Sequence, residues 1–259
     1  MSSVYVFAAS QMEAQPVADL AAPGHVPRPG HGLVTFPCAA NTLTLIVSGM
    51  GPNKAMAAAQ AALNGANGQG GVTASGAARP EAVLVIGLCG GLTESLSEGR
   101  IVVYAKCLST DPTNPPIESS PQITSRIIQL LASSNIRCNH VAGLTSPQIA
   151  ASREHRLRLA QTGASAVDME TYSILDAATR AGVPVAALRV VSDSFDRELP
   201  DLNRALNQDG ALDGRKALGV AIGSPLRTLR LLAANKRAMQ KLNDALRIVL
   251  PSDCFTHSG

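Results

Sequence analysis

The chain has 259 residues, 46% of them hydrophobic, 16% charged and 3% aromatic, with 22 Gly, 16 Pro and no Trp. A globular chain of this size buries roughly 70–75% of the surface its unfolded form exposes, so its core needs neither disulfide nor metal, and the charge fraction excludes a disordered acidic or basic tail protein. The net charge of +3, from 22 Lys and Arg against 19 Asp and Glu, is too small for a protein whose task is neutralising nucleic-acid phosphates, and a small-molecule site is the expectation.

In chain order, short apolar and β-branched runs at Val4–Ala9 and Leu43–Ser48 read as buried strands, separated by a surface loop at Pro23–Gly32 with its repeated Pro-Gly-His. A helix is expected over about Asn53–Leu63, then a Gly, Ala and Ser-rich loop at Gly65–Pro80. Strands follow at Val83–Gly87 and Ile101–Ala105, and helices at Ser120–Ser133, Ala151–Gln161 and Met169–Arg180, the last stopped by Gly182 and Pro184. The run Val185–Ser192 is again a strand. Strand and helix alternate, which predicts an α/β protein with helices on both faces of a mostly parallel sheet. No repeat is visible, and residues 1–259 are expected to form one domain.

The final part differs. From Ser224 to Leu250 there are six basic residues (Arg227, Arg230, Lys236, Arg237, Lys241 and Arg247) and one acid, Asp244, a local charge of +5 that leaves −2 for the rest of the chain. Leu226, Leu229, Leu232, Met239, Leu242, Leu246 and Val249 recur at helical spacing, so residues 224–250 are expected to form a basic amphipathic helix.

The five cysteines, Cys38, Cys89, Cys107, Cys138 and Cys254, are odd in number, widely spaced and set among apolar residues, which reads as reduced thiols. No Lys or Arg precedes Arg28 and no apolar run approaches 18 residues, so neither a signal peptide nor a spanning helix is expected, and the compartment expected is the cytoplasm. The histidines show no ligand spacing and no metal or cofactor is expected; Gly49 and Gly51 do not complete a dinucleotide motif. Cys89 beside Gly90 and Gly91 has no partner pattern that would make it a nucleophile.

The densest cluster of chemistry runs Val167, Asp168, Met169, Glu170, Thr171, Tyr172 and continues through a helix to Arg189, Ser192 and Asp193. Ligands of open α/β sheets bind at the carboxyl ends of strands, which is where Asp193 falls. On an extended chain Arg189 and Asp193 would share a face. Spacing alone leaves a second reading open, in which Glu170 favours a helix dipole and Asp193 caps a turn; Tyr172 is equally open between ligand and core.

The runs AVDMETYS and AGVPVAALRVVSD, with LIVSGMGPNKAMA at Leu45–Ala57 and IGLCGGLTESLSEGRIVV at Ile86–Val103, resemble in order and separation the signature of the nucleoside phosphorylase and nucleosidase superfamily. That resemblance implies its single-domain α/β fold, a central twisted, mostly parallel mixed sheet flanked by helices. It also implies that Glu170 binds ribose hydroxyls and that Asp193 protonates or hydrogen-bonds N7 of a purine. Met169, Ser192, Gly90, Gln148 and Ile149 join the substrate-binding set by the same resemblance. Glu13, following the first strand, matches the carboxylate that activates water in methylthioadenosine/S-adenosylhomocysteine nucleosidases; without the resemblance it reads as a first-turn helix acid. Breaking an N-glycosidic bond builds positive charge on the sugar and negative charge on the base, which calls for carboxyl groups in different protonation states.

One departure bears on the acceptor. Where bacterial phosphorylases of the superfamily resemble R-V-G-S-C-G, this chain has Val85, Ile86, Gly87, Leu88, Cys89 and Gly90, and apolar Val and Leu cannot hold phosphate. Water is the expected acceptor, with a phosphate-dependent phosphorylase and a non-catalytic nucleoside binder as alternatives. From Asp193 through the segment ending AANKRAMQKL the chain resembles the hopanoid-associated nucleosidases that remove adenine from adenosylhopane, which implies a lipid-tailed nucleoside; methylthioadenosine or S-adenosylhomocysteine is the alternative substrate. The expected partners are thus a small-molecule nucleoside and a second copy in a homodimer, without nucleic acid. A peripheral contact of the basic helix with the inner face of the membrane is the counterpart of a reading in which that helix only packs on the core.

Overall fold

The computed structural model describes residues 1–21, 33–65, 79–205, 207 and 213–256. The two expected loops, Pro23–Gly32 and Gly65–Pro80, lie largely outside the described residues. Nine strands are described: β1 Ser2–Ala8, β2 Val34–Cys38, β3 Asn41–Val47, β4 Ala82–Gly91, β5 Ile101–Ser109, β6 Ile117–Glu118, β7 Cys138–Thr145, β8 Ala166–Asp168 and β9 Val185–Asp193. The helices are α1 Gln11–Ala21, α2 Pro52–Gly65, α3 Pro121–Ser133, α4 Arg153–Ala160, α5 Thr171–Arg180, α6 Gly214–Gly223 and α7 Pro225–Val249, with a short 3-10 turn at Leu202–Ala205.

All nine strands join one mixed sheet. The order β2-β3-β1-β4 is followed by β9, parallel to β4 and antiparallel to β5, while β7 runs parallel to β5 and to β8. Strand β8 then returns to β4 through Gly90 opposite Val167, so β4, β9, β5, β7 and β8 form a closed circuit. Alternation along the strands sorts the core into two layers. Val4, Val6, Leu84, Ile86, Leu188 and Val190 pack under α1, α3 and α7, and Tyr5, Phe7, Val83, Val85 and Ala187 pack under α2 and α5. Each fully buried Val, Leu or Phe side chain contributes on the order of 1.5–3 kcal/mol, so the sheet is covered on both faces by the dominant stabilising term.

Local signals account for the helix starts. Ser120 accepts from the Ile123 amide with Pro121 at the first helical position of α3, and Ser152 accepts from the His155 amide at 3.1 Å to start α4. The expected C-terminal helix is present as α7, but its seven apolar residues do not make one stripe. Leu242, Leu246 and Val249 are buried with Ala234, Ala238 and Ala245, whereas Leu226, Leu229 and Leu232 face outward. At 3.6 residues per turn Leu226 starts roughly opposite the face of Leu242, Leu246 and Val249, and steps of three shift each next leucine about 60° around the helix, so the seven do not share one stripe.

Candidate active site

The three acids singled out in the sequence arrive from different elements. Glu13 is in the first turn of α1, just beyond β1; Glu170 is between β8 and α5; Asp193 ends β9. All three are buried, and all line one cavity of about 240 Å³, together with Met169, Ser192, Gly90, Gln148 and Ile149. Every residue expected at the site is therefore brought to the same cavity. Its remaining wall is largely apolar, built from Met12, Met50, Leu199, Leu202 and Leu231.

Ser10 and Glu13 have the spacing of a capping box, and half of one forms: the Glu13 amide approaches Ser10 Oγ at 3.3 Å. The Glu13 carboxylate does not complete it. Its Oε1 crosses to the sheet and accepts from the Leu88 amide at 2.8 Å, while Oε2 accepts from the Ser10 hydroxyl at 2.9 Å. Gly87 makes this approach feasible: it has φ +141°, and a Cβ there would collide with the Glu13 carboxylate and lie 2.7 Å from Arg189 Nη1.

Glu170 occupies the N-cap of α5, yet its side chain does not cap the helix. That task falls to Asp168, whose Oδ1 accepts from the amides of Glu170 and Thr171 and from the Thr145 hydroxyl, each at 2.9 Å. Freed from capping, Glu170 turns to the cavity and accepts from the Gly51 amide at 2.9 Å, with Arg189 Nη2 at 3.8 Å. Burial pushes its carboxyl up to about 8 against the pull of the Arg189 cation, and the neighbouring Asp168 and Glu13 charges push the same way as burial. Since the unfolded chain ionises this group near 4.5, the folded state binds the extra proton between about pH 4.5 and 8, and stability falls as pH rises through that window. Thermal unfolding of Glu170→Gln across pH 5–9 should lose this fall, which amounts to a few kcal/mol in order of magnitude. Parallel curves for the two proteins would contradict the assignment.

Asp193 is not placed as a continuous strand would place it. The β4–β9 register slips between Cys89 and Gly90, pairing Cys89 with Val191 and Gly90 with Asp193, so Ser192 is an extra, bulged residue. Arg189 and Asp193 consequently part company, correcting the expectation of a shared face. Arg189 donates to Thr171 Oγ1 through Nε at 3.1 Å and Nη2 at 2.7 Å, whereas Asp193 Oδ2 is ion-paired with Arg156 of α4 and Oδ1 is bonded to the Ser192 hydroxyl. Arg156 is wholly buried and also donates to the carbonyls of Ala150 at 2.8 Å and Ser194 at 2.7 Å.

Arg156 and the capping role of Asp168 escaped the sequence reading. Arg156 sits among Arg153, His155 and Arg158 in a helix that looks solvated, and only the fold turns one of these cations inward. Asp168 was visible in the cluster but carried no signal separating it from Glu170. Tyr172 donates to the Pro115 carbonyl at 2.9 Å and lines a different hollow, and Cys89 is a buried thiol that burial pushes well above its ordinary range.

Acids gathered around a cavity beyond the strand ends of a mixed α/β sheet are the arrangement of a small-molecule site. More narrowly, residues 3–215 match the phosphorylase superfamily, and the chain belongs to it. No curated protein matches the chain in sequence. Among solved structures, a futalosine hydrolase mutant of Helicobacter pylori is similar with a TM-score of 0.73 at 16% identity, covering 96% of this chain and 99% of that one. The 5′-methylthioadenosine/S-adenosylhomocysteine nucleosidase of Neisseria meningitidis, in complex with methylthio-immucillin-A, superposes with a TM-score of 0.73 at 15% identity over 97% and 99% of the two chains. An S-adenosylhomocysteine nucleosidase from Streptococcus pyogenes, in complex with 5-methylthiotubericidin, gives 0.70 at 17% identity over 96% of each.

Proposed function

We propose that this protein is a nucleosidase that hydrolyses the N-glycosidic bond of a purine nucleoside, releasing adenine. The observation that carries the reading is the convergence of Glu13, Glu170 and Asp193, from three separate parts of the chain, on one cavity. Glu170 holds ribose hydroxyls by hydrogen bonds, Asp193 meets the departing base, and Glu13 orients and deprotonates the attacking water. A protein that only bound nucleosides would not need the third acid.

Water is favoured over phosphate by the state of the two buried arginines. Arg156 is bonded to Asp193 and backbone carbonyls, and Arg189 to Thr171 and the Leu88 carbonyl, so neither offers a free fork to an oxyanion. The apolar wall of Met12, Met50, Leu199, Leu202 and Leu231 suits an apolar 5′ substituent, and with the sequence resemblance it supports adenosylhopane as the substrate. A cytoplasmic homodimer belongs to the same reading.

Adenine release is measured on adenosine, 5′-methylthioadenosine and an adenosine carrying a long apolar 5′ chain, with and without phosphate. Free sugar in phosphate-free buffer, and kcat/KM rising with the apolar chain, are expected. Ribose 1-phosphate as the main product restores the phosphorylase; tight binding without adenine release leaves a non-catalytic binder.

A further inference from the structure

Large apolar side chains that stay exposed are concentrated in one place. Leu218 and Ile222 of α6 and Leu226, Leu229 and Leu232 of α7 are 60–72% exposed. The first three turns of α7 carry Leu226, Leu229 and Leu232 away from its buried Ala234 and Ala238, an outward apolar arc with no core to cover. Singly exposed leucines are ordinary, but a cluster of this kind marks an interaction surface.

The charge around the cluster selects the partner. From Gly214 to Asn243 the chain has seven basic residues and no acid. Arg227 pairs with Glu198 and Arg237 with Glu98, while Arg215, Lys216, Arg230, Lys236 and Lys241 form no ion pair among the described residues. A two-fold contact with a second copy would set this basic surface against itself, which is repulsive. An anionic lipid surface answers both features, attracting the cations while accepting the leucines.

We propose that α6 and the first turns of α7 form a docking surface for an anionic phospholipid bilayer. The helix is also a wall of the cavity: Leu231 and Asn235 line it from the other side of α7. The cavity therefore lies about one helix width, ~10 Å, from the docked surface, close enough for a nucleoside whose tail remains in the lipid. The docking surface stands on exposure and charge; only the identity of the molecule delivered rests on the nucleoside reading. No described helix is long and apolar enough to cross a membrane, so the contact is peripheral.

The full chain is floated with vesicles of phosphatidylcholine alone or mixed with phosphatidylglycerol, at low and high salt, beside two variants: Arg215→Gln with Lys216→Gln, Arg230→Gln and Lys236→Gln, and Leu226→Asn with Leu229→Asn and Leu232→Asn. The wild type should bind the anionic vesicles at low salt. High salt or the four glutamines should lower partitioning about tenfold or more, and the three asparagines should also lower it. All substituted side chains lie outside the cavity, so adenine release from soluble adenosine should be unchanged and reports that the variants are folded. Absence of binding, equal binding to phosphatidylcholine alone, or a wild-type dimer that the asparagines turn into a monomer overturns the proposal. Flotation as expected by a protein that releases no adenine overturns the nucleoside reading and leaves the docking surface standing.

Discussion

Asp193→Asn should lower kcat for adenine release by about 10²–10⁴, the range a positioned acid contributes, while leaving nucleoside binding nearly intact. The amide keeps the shape of the carboxyl and can still accept from Arg156, but unlike a carboxylate it cannot take up a proton and pass it to the departing base. Removing the charge has a second consequence. Arg156 is wholly buried, and its only ion pair among the described residues is with Asp193. Breaking a buried pair costs about 3–5 kcal/mol when one charge is left alone, and the carbonyls of Ala150 and Ser194 offset part of that. The variant should therefore unfold at lower temperature than the wild type and be assayed well below its transition. Stopped assays of kcat and direct titration with an adenine nucleoside separate the two effects. A folded Asp193→Asn protein that keeps more than about a tenth of the wild-type rate would remove Asp193 from the chemistry.

The partition between what was legible in the sequence and what was not follows from which residues carry their own signal. Central strands β1, β3, β4, β5 and β9 are largely buried on both faces and each carries a short, mostly apolar run. Strand β7, with Asn139, His140 and Gly143, has no such run, β8 is three residues long, and β2 contains Pro37, so each depends on its neighbours for existence. Helix α1 is interrupted in pattern by Pro16 and α6 has no buried stripe among its described side chains. The candidate site was more legible than the periphery because motif order and separation carried Glu13, Glu170 and Asp193 together. Its supporting contacts were not, because an Arg156–Asp193 pair across 37 residues and a strand bulge at Ser192 are products of packing. The outward leucines of α7 show another limit: the helical spacing was visible in the sequence, but which of its leucines the core would cover was not.

Glu13→Gln should be nearly as slow as Asp193→Asn in hydrolysis, again by about 10²–10⁴ in kcat, with KM changed far less. The substitution fits the site sterically. A glutamine oxygen can accept from the Leu88 amide as Oε1 does at 2.8 Å, and the Ser10 hydroxyl, which donates to Oε2 at 2.9 Å, can reverse and accept from the new amide nitrogen. The tie between α1 and β4 survives, so a loss of rate reports on the carboxylate as a base and not on its role in holding the helix start. The contrast with Glu170→Gln sharpens this, because ribose hydroxyls are held in ground and transition states alike and their loss should weaken binding and rate together. The decisive measurement is single-turnover hydrolysis in phosphate-free buffer, with thermal unfolding as the check on structure. Full hydrolytic activity in a normally stable Glu13→Gln protein would leave Glu13 as the first-turn helix acid its position alone suggests, and would leave the water to be activated by some other group at the cavity.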